Sequence, residues 1–329
     1  MNIKKLTIFA ILGIALLGLC LLSMRYGSVF IDTGDFFSAL LRKEGYETRS
    51  IIIYSLRLPR VIGGILAGVG LGVSGVLLQS VTGNKMASPG LIGVNSGAGF
   101  AVILALSLPA IPIAAIPFIS FTGASLATLA IIAIAGRMGM TKNTVVLSGI
   151  AFSAILSAGI SLLSLLDSDV LVGYNAFAVG SLAGIEAKSL TMPTVLIVSA
   201  LLCALFAAQR INLLSLGAPI ASSLGLNVRG MRIFCMLLAS ALAGAAVSVV
   251  GLLGFVGLMS PHIARALVGP DARKLIPCTA LVGADLVLAA DLIGRVVFAP
   301  GEMPVGVLMA LLGAPFFLAI LLKGGRRDA

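Results

Sequence analysis

Charge is what this chain most lacks. Lys, Arg, Asp and Glu make up 10% of its 329 residues, where a soluble domain carries about 25%. Mean hydropathy is +1.17 and 59% of residues are hydrophobic. Apolar windows near the ~20 residues needed to cross a bilayer recur along the whole length. The expectation is an all-α, polytopic membrane protein, one transmembrane domain over residues 1–329 with no room for a soluble one. Histidine is nearly absent too. The single one, His262, excludes a His-rich metal cluster and an HExxH site. No GxSxG elbow accompanies it, so a structural hydrogen bond near a helix end is its expected role. The four cysteines, Cys20, Cys203, Cys235 and Cys278, lack CxxC spacing and read as small core residues rather than a metal or disulfide framework.

Nucleotide motifs are missing as well. No GxxxxGK[ST] phosphate loop occurs, so ATP is not expected on this chain by that route. Gly70-Leu71-Gly72-Val73-Ser74-Gly75 spells GxGxxG, but no strand precedes it and residues 87–99 hold no carboxylate to meet a ribose. Helix packing is the better reading. The net charge of +10 is spread over short loops without a basic, aromatic-rich face, which argues against nucleic acid as a partner.

What is present centres on residues 57–99. Two arginines flank a proline, Arg57-Leu58-Pro59-Arg60, and open an apolar run in which Gly64, Gly68 and Gly72 recur at four-residue steps, with Gly75 beyond. Such a face lets another helix approach at backbone distance. The run breaks at a polar turn, Thr82 to Ser88, and a second glycine-rich run follows. At the N-terminus, Lys4 and Lys5 precede about 19 apolar residues, which suits an uncleaved first transmembrane helix better than a signal core. Leu19-Cys20 hints at a lipoprotein site, yet leucine replaces the small residue expected there.

Runs and breakers place ten helices near 6–24, 61–80, 90–107, 114–136, 144–166, 190–208, 233–252, 254–268, 275–296 and 304–322, the eighth being short, with nine crossings the rival. Ten crossings put both termini on one side. With the N-terminus inside, the inner segments carry Lys4, Lys5, Lys85, Arg137, Lys142, Arg210, Arg229, Arg232, Arg265, Arg273, Lys274, Lys323, Arg326 and Arg327, fourteen in all. The outer segments carry eight: Arg25, Arg42, Lys43, Arg49, Arg57, Arg60, Lys188 and Arg295. The positive-inside rule therefore makes both termini cytoplasmic. A shift of 172 residues aligns Arg60 with Arg232, Gly72 with Gly244, Ser88-Pro89 with Ser260-Pro261 and Gly97 with Gly269, a faint inverted repeat (60–166 with 232–322) barely above chance in so biased a composition.

Asp285 and Asp291 fall inside the ninth run, where an ionised carboxylate costs about 2.5–3.5 kcal/mol on insertion scales. Asp291 can pair with Arg295 four residues on; a structural bond to a neighbouring helix is expected for Asp285. In the inner connection Arg210 to Arg232, Ser215 can cap a short helix that tolerates Pro219 in its first turn and ends at Gly225. A small amphipathic helix on that face suggests docking to a soluble partner.

Ordered blocks across nearly the whole chain resemble the membrane permeases of ABC importers for iron chelates, haem and vitamin B12, the FecCD-type subunits of type II importers. They are Arg57-Leu58-Pro59-Arg60; Gly75-Val76-Leu77-Leu78-Gln79; Asn84 to Pro89; Gly93-Val94-Asn95-Ser96-Gly97-Ala98; Gly254-Phe255-Val256-Gly257-Leu258; Pro261-His262-Ile263-Ala264-Arg265; Gly283-Ala284; Asp291; Arg295; Pro304-Val305-Gly306; and Gly313-Ala314-Pro315. The resemblance implies a ten-helix subunit that pairs with a second copy or close paralogue in a bacterial or archaeal cytoplasmic (inner) membrane. Two cytoplasmic ATPase subunits would bind ATP and Mg below, and a periplasmic or lipid-anchored substrate-binding protein would deliver substrate from above. No catalytic residue, metal or cofactor is implied on this chain.

Carried over position by position, Arg57, Arg60 and Arg295 match the arginines that receive the binding protein's acidic residues. Asn84, Lys85, Met86, Lys142 and Asn143 fall on the two cytoplasmic gate loops. Ser215, Leu216, Gly217, Ala218, Pro219, Ala221, Leu224 and Gly225 fall in the helix segment that presses on the ATPases. Two positions depart from the pattern: Lys85 stands where proline is common, and Ala218-Pro219 replaces an acidic pair. The implied cargo is an iron chelate, a ferric siderophore before haem or cobalamin. An ion-coupled secondary transporter is the rival outside this class.

Overall fold

The helix that begins at Leu58 is the axis of the fold. In the computed structural model, which describes residues 3–27, 31–108 and 110–325, its membrane-length segment is 83% buried, the highest share of any long apolar helix described. Arg326 and Arg327, two of the charges expected inside, lie outside the described residues. The helices run α1 (Ile3–Arg25), α2 (Thr33–Leu40), α3 (Glu47–Ile51), α4 (Leu58–Thr82), α5 (Val94–Leu106), α6 (Ile116–Arg137), α7 (Lys142–Leu166), α8 (Ser168–Val179), α9 (Thr191–Phe206), α10 (Ala208–Ser215), α11 (Ala218–Ser223), α12 (Val228–Val250), α13 (Val256–Val268), α14 (Ala272–Val296) and α15 (Val305–Gly325). A π-helical turn, Ile52–Arg57, joins α3 to α4.

Each of the ten expected crossings coincides with a helix. The largest boundary shift is five residues, at α12, which starts at Val228 instead of 233. Seven of the described helices are long and apolar enough to cross a membrane. The helices α5 and α13 have 13 residues each, about 20 Å at 1.5 Å per residue, short of a hydrocarbon core of about 30 Å. Their shortness has local causes. The second glycine-rich run is interrupted at Gly93, which takes φ 71° after a 3₁₀ turn at Pro89–Ile92. Likewise α13 begins only after Phe255, held at φ 64°.

Four helices were not expected from apolar runs: α2, α3, α8 and α10. Cap chemistry still marks two of them. Asp32 accepts from the Gly34 backbone N–H at the start of α2, and Asp167 accepts from the Asp169 and Val170 N–H groups at the start of α8.

Small residues set the packing around α4. It lies against α14 where Gly68 meets Gly283, against α13 where Gly75 meets Gly257, and against α12 where Gly70 faces the Leu242 carbonyl. The glycine stripe thus serves two neighbours rather than one, because Gly64 faces Leu288 of α14 and Gly72 faces both Ser260 of α13 and Thr279 of α14. By contrast α1 is almost bare: 6% of its window is buried, and Ile3, Ile11, Ile14 and Leu17 are exposed, as suits a helix facing lipid on most sides.

Three expectations are corrected here. Cys235 and Cys278 are buried core residues, but Cys203 is exposed on α9 and Cys20 is only partly covered; all four are free thiols. Among the described residues His262 meets the Phe316 ring in a T-shaped arrangement, with centroids 5.9 Å apart, rather than a hydrogen-bond partner. Neither carboxylate oxygen of Asp285 has a hydrogen-bond partner, although both are buried.

Candidate functional site: the two ends of the glycine helix

The N-terminal end of α4 gathers the three sequence-selected arginines. Arg60 grips Asp291 of α14 through Nε (3.1 Å to both oxygens) and Nη2 (2.9 Å), while its Nη1 donates to Glu302 at 2.7 Å. Arg295, one turn beyond Asp291, places Nε 3.0 Å from the same carboxylate. The other face of the cluster closes the end of α1. Arg57 Nη1 donates to the Met24 and Arg25 carbonyls at 2.8 and 2.6 Å, and Arg295 Nη1 to those of Ser23 and Tyr26 at 3.2 Å. Cations belong at a helix C-terminus, where carbonyls lack intrahelical partners and carry the negative end of the dipole.

These arginines are therefore engaged within the chain. Arg57 and Arg295 are 6% and 2% exposed, and the Arg60 side chain 12%. All three nonetheless line one cavity of about 400 Å³, together with Glu302, Gly184 and Ile185. The local Asp291–Arg295 pair was legible in the sequence. The bond from Arg60 to Asp291, 231 residues away, and the Glu302 contact were not.

The C-terminal end of α4 gathers the gate-loop residues. Gly83 closes the helix at φ 63°, with the Lys142 ammonium against it. Asn84 accepts the Met86 N–H at 2.9 Å, a local turn that leaves Lys85 and Met86 exposed. Lys142 opens α7 behind its cap Thr141, and Asn143 is exposed beside it. A bond that sequence reasoning missed crosses this end: Arg265 Nη2 of α13 donates to Gln79 Oε1 at 2.8 Å. A cavity of about 450 Å³ here is lined by Gln79, Gly83, Lys85, Ser215 and Arg265, among others.

The expected cap at Ser215 is corrected. Ser215 is the last residue of α10, and its hydroxyl donates back to the Asn212 carbonyl at 2.6 Å. Leu216 and Gly217 form the turn, and the short helix α11 starts at Ala218 with Gly217 at φ 98° and no side-chain cap. Pro219 does sit in the first turn, and Gly225 does follow the helix end, at φ 81°. Ala221 is buried, while Leu216, Ile220 and Leu224 stand 52–57% exposed at four-residue steps. Below this segment Asn212 clasps the start of α14: its Nδ2 donates to Asp271 at 2.8 Å and its Oδ1 accepts from the Ala272 N–H at 2.8 Å. The hydrogen bond from Asn212, with lesser help from Arg273 and Lys274, holds the Asp271 carboxyl below its ordinary range.

Contacts gather several of the loops at the C-terminal end of α4: Lys5 reaches the Val268 carbonyl, Arg232 the Met140 carbonyl and Arg229 the Gly136 carbonyl. A match to the FecCD transport family covers residues 15–323. The chain belongs to the FecCD transport family. Among its relatives is the Fe(3+)-citrate import system permease protein YfmE of Bacillus subtilis, 36% identical over 99% of this chain and 97% of that one. Another, the Bacillus subtilis siderophore transport system permease protein YfhA, is 38% identical over 95% of this chain and 94% of that one. A solved inward-facing structure of a metal-chelate type ABC transporter superposes with a TM-score of 0.85 over 96% of this chain and 99% of that one, at 29% identity. Family membership makes this FecCD protein a membrane transport permease.

Proposed function

We propose that this chain is the transmembrane permease of an ATP-driven importer that takes up an iron chelate, a ferric siderophore or ferric citrate, handed over by a substrate-binding protein. The observation that carries the reading is the full-length likeness to iron-chelate permeases, in a fold where one buried helix joins an arginine-lined cavity to a gate loop. The cargo is read from the relatives' chelates, which favour ferric complexes over haem or cobalamin.

In this reading the chain crosses a bacterial or archaeal cytoplasmic membrane ten times with both termini cytoplasmic. A second copy or close paralogue packs beside it to enclose the pathway. Two ATPase subunits, which bind ATP and Mg, press on the segment from Ser215 to Gly225, where Leu216, Ile220 and Leu224 offer an apolar surface. The gate is formed by Asn84, Lys85 and Met86 with Lys142 and Asn143. Lys85 adds a cation to the cavity it lines with Arg265, at a position where the resemblance makes proline common. Switching between outward and inward states requires differential contacts of the partners with each state, not covalent chemistry on this chain.

Co-reconstitution with the ATPase and the binding protein tests the reading. Labelled ferric chelate is expected to enter proteoliposomes only with all components and ATP. Uptake by the chain alone under an ion gradient would instead make it a secondary transporter.

Docking of the binding protein is placed at Arg57, Arg60 and Arg295. Glu302 is 30% exposed and already occupies Arg60, so it acts as an internal competitor for the partner's carboxylate. Exposed ion pairs are worth about 0.2–1 kcal/mol. Glu302→Ala is therefore expected to tighten binding-protein capture, by up to about fivefold. Capture that is unchanged or weaker would remove Arg60 from the docking site.

A further inference from the structure

The segment joining α1 to α4 builds a small core of its own. Ile31, Phe36, Ala39 and Ile53 are buried together, with Met24, Leu40, Tyr46, Ile52 and Tyr54 packed around them. Side chains pin it from within: Tyr54 donates its hydroxyl to the Leu40 carbonyl at 2.7 Å, Ser50 donates to the Ala39 carbonyl at 2.8 Å, and Arg49 pairs with Asp35 at 3.0 Å. Yet α2 is apolar on its other side too. Phe37 and Leu41, four apart and so on one face, are 58% and 70% exposed. A helix apolar on a second face needs a second apolar neighbour, and nothing among the described residues supplies one.

Three observations say what that neighbour is. Aromatics with a polar edge concentrate here: the chain has four tyrosines and no tryptophan, and Tyr26, Tyr46 and Tyr54 all lie in or beside this segment, as in the belts that mark membrane interfaces. Cations sit against those rings, with Arg42 4.4 Å from the Tyr54 centroid and Arg49 5.7 Å from that of Tyr46. Basic side chains so placed can reach lipid phosphates while their stems stay on apolar surface. Finally, the surface is continuous with the membrane-facing one. Tyr54 heads an apolar groove of about 390 Å³ that passes Leu58, Pro59 and Ile62 to Val195, and Val195 is 63% exposed on α9.

We propose that α2 is an interfacial helix seated in the bilayer surface, with Phe37 and Leu41 at the acyl boundary, Arg42 at the phosphates and a lipid chain in the groove beneath Tyr54. That this leaflet is the outer one rests on the orientation proposed above; the seat itself does not.

Because the chain has no tryptophan, Phe37→Trp introduces a single reporter. The assembled transporter is placed in proteoliposomes, and the emission difference between variant and parent is read with lipids brominated near the glycerol end or near the chain terminus, and with aqueous iodide. The expected result is blue-shifted emission, strong loss with the shallow bromines, weaker loss with the deep ones and little with iodide, all without binding protein. Leu41→Trp, read the same way, covers the case in which the first variant fails to assemble. Emission quenched by iodide and untouched by bromine would put α2 in water. Emission shielded from both quenchers would mean that another protein covers it. Either result overturns the proposal, and neither bears on which chelate is carried.

Discussion

Asp291→Ala is expected to destabilise the folded permease by about 3–5 kcal/mol, the range for breaking a buried ion pair by removing one partner. Set against a total stability of about 5–15 kcal/mol, that is enough to shift thermal unfolding in detergent and to lower recovery of monodisperse protein. The size follows from the geometry. One carboxylate, 2% exposed, serves two guanidiniums, Arg60 at 2.9 Å and Arg295 at 3.0 Å. Without it two buried cations face each other, and only Glu302, bound to the far side of Arg60, offsets them. Asn restores shape but not charge and is expected to cost nearly as much. The same arginine cluster holds the last carbonyls of α1, so the C-terminal end of α1 should become sensitive to protease in the variant.

Asp285→Asn is the internal control. It lies on the same helix, and neither of its oxygens has a hydrogen-bond partner, so its replacement removes no bond and should change the melting point little. If Asp291→Ala melts no lower than Asp285→Asn, the cluster is not what holds these helix ends together.

How far the sequence could be read follows from the range of each interaction. The long apolar helices were legible because burial in lipid demands long apolar runs, whereas the break at Gly93 fell inside the expected span 90–107 and shortened α5. Asp291 with Arg295 was legible because helical spacing alone makes them neighbours. Arg60 with Asp291 and Arg265 with Gln79 were not, because separations of 231 and 186 residues leave no local trace. The shift in the start of α11 has a different cause. A serine in a helix often bonds back to a carbonyl of the preceding turn, and α10 continues far enough for Ser215 to do so at Asn212, which leaves Gly217 as the cap and starts the next helix at Ala218. Short helices such as α2 and α8 carry too few apolar residues to register as spans, and their caps Asp32 and Asp167 were not singled out in the sequence. The internal repeat shows the limit of pattern matching: Ser88-Pro89 opens a 3₁₀ turn, whereas Ser260-Pro261 sits inside α13.

The glycine stripe, read from spacing as one packing face, supports a sharper and larger prediction. A Cβ on Gly75 would overlap the Gly257 carbonyl oxygen, and one on Gly68 would overlap the Gly283 carbonyl. Both obstacles are backbone, fixed by the helices they belong to, so the clash can be relieved only by moving α13 or α14 away from α4. Overpacking a well-packed core costs about 1–3 kcal/mol even where side chains can adjust, occasionally more; here they cannot, and separation would also open the Gln79–Arg265 bond near the C-terminal end of α4. Gly75→Ala is therefore expected to abolish recovery of folded protein, and Gly68→Ala to come close. At Gly64 the obstacle is the tip of Leu288, 2.8 Å from the added carbon, and a leucine tip can change rotamer. Gly64→Ala should fold and keep its melting point within a few degrees of the parent. Measured side by side as monodisperse yield and thermal midpoint, the three variants separate helix contact at backbone distance from mere smallness: equal tolerance of all three would mean that α4 is not clamped by the backbones of α13 and α14.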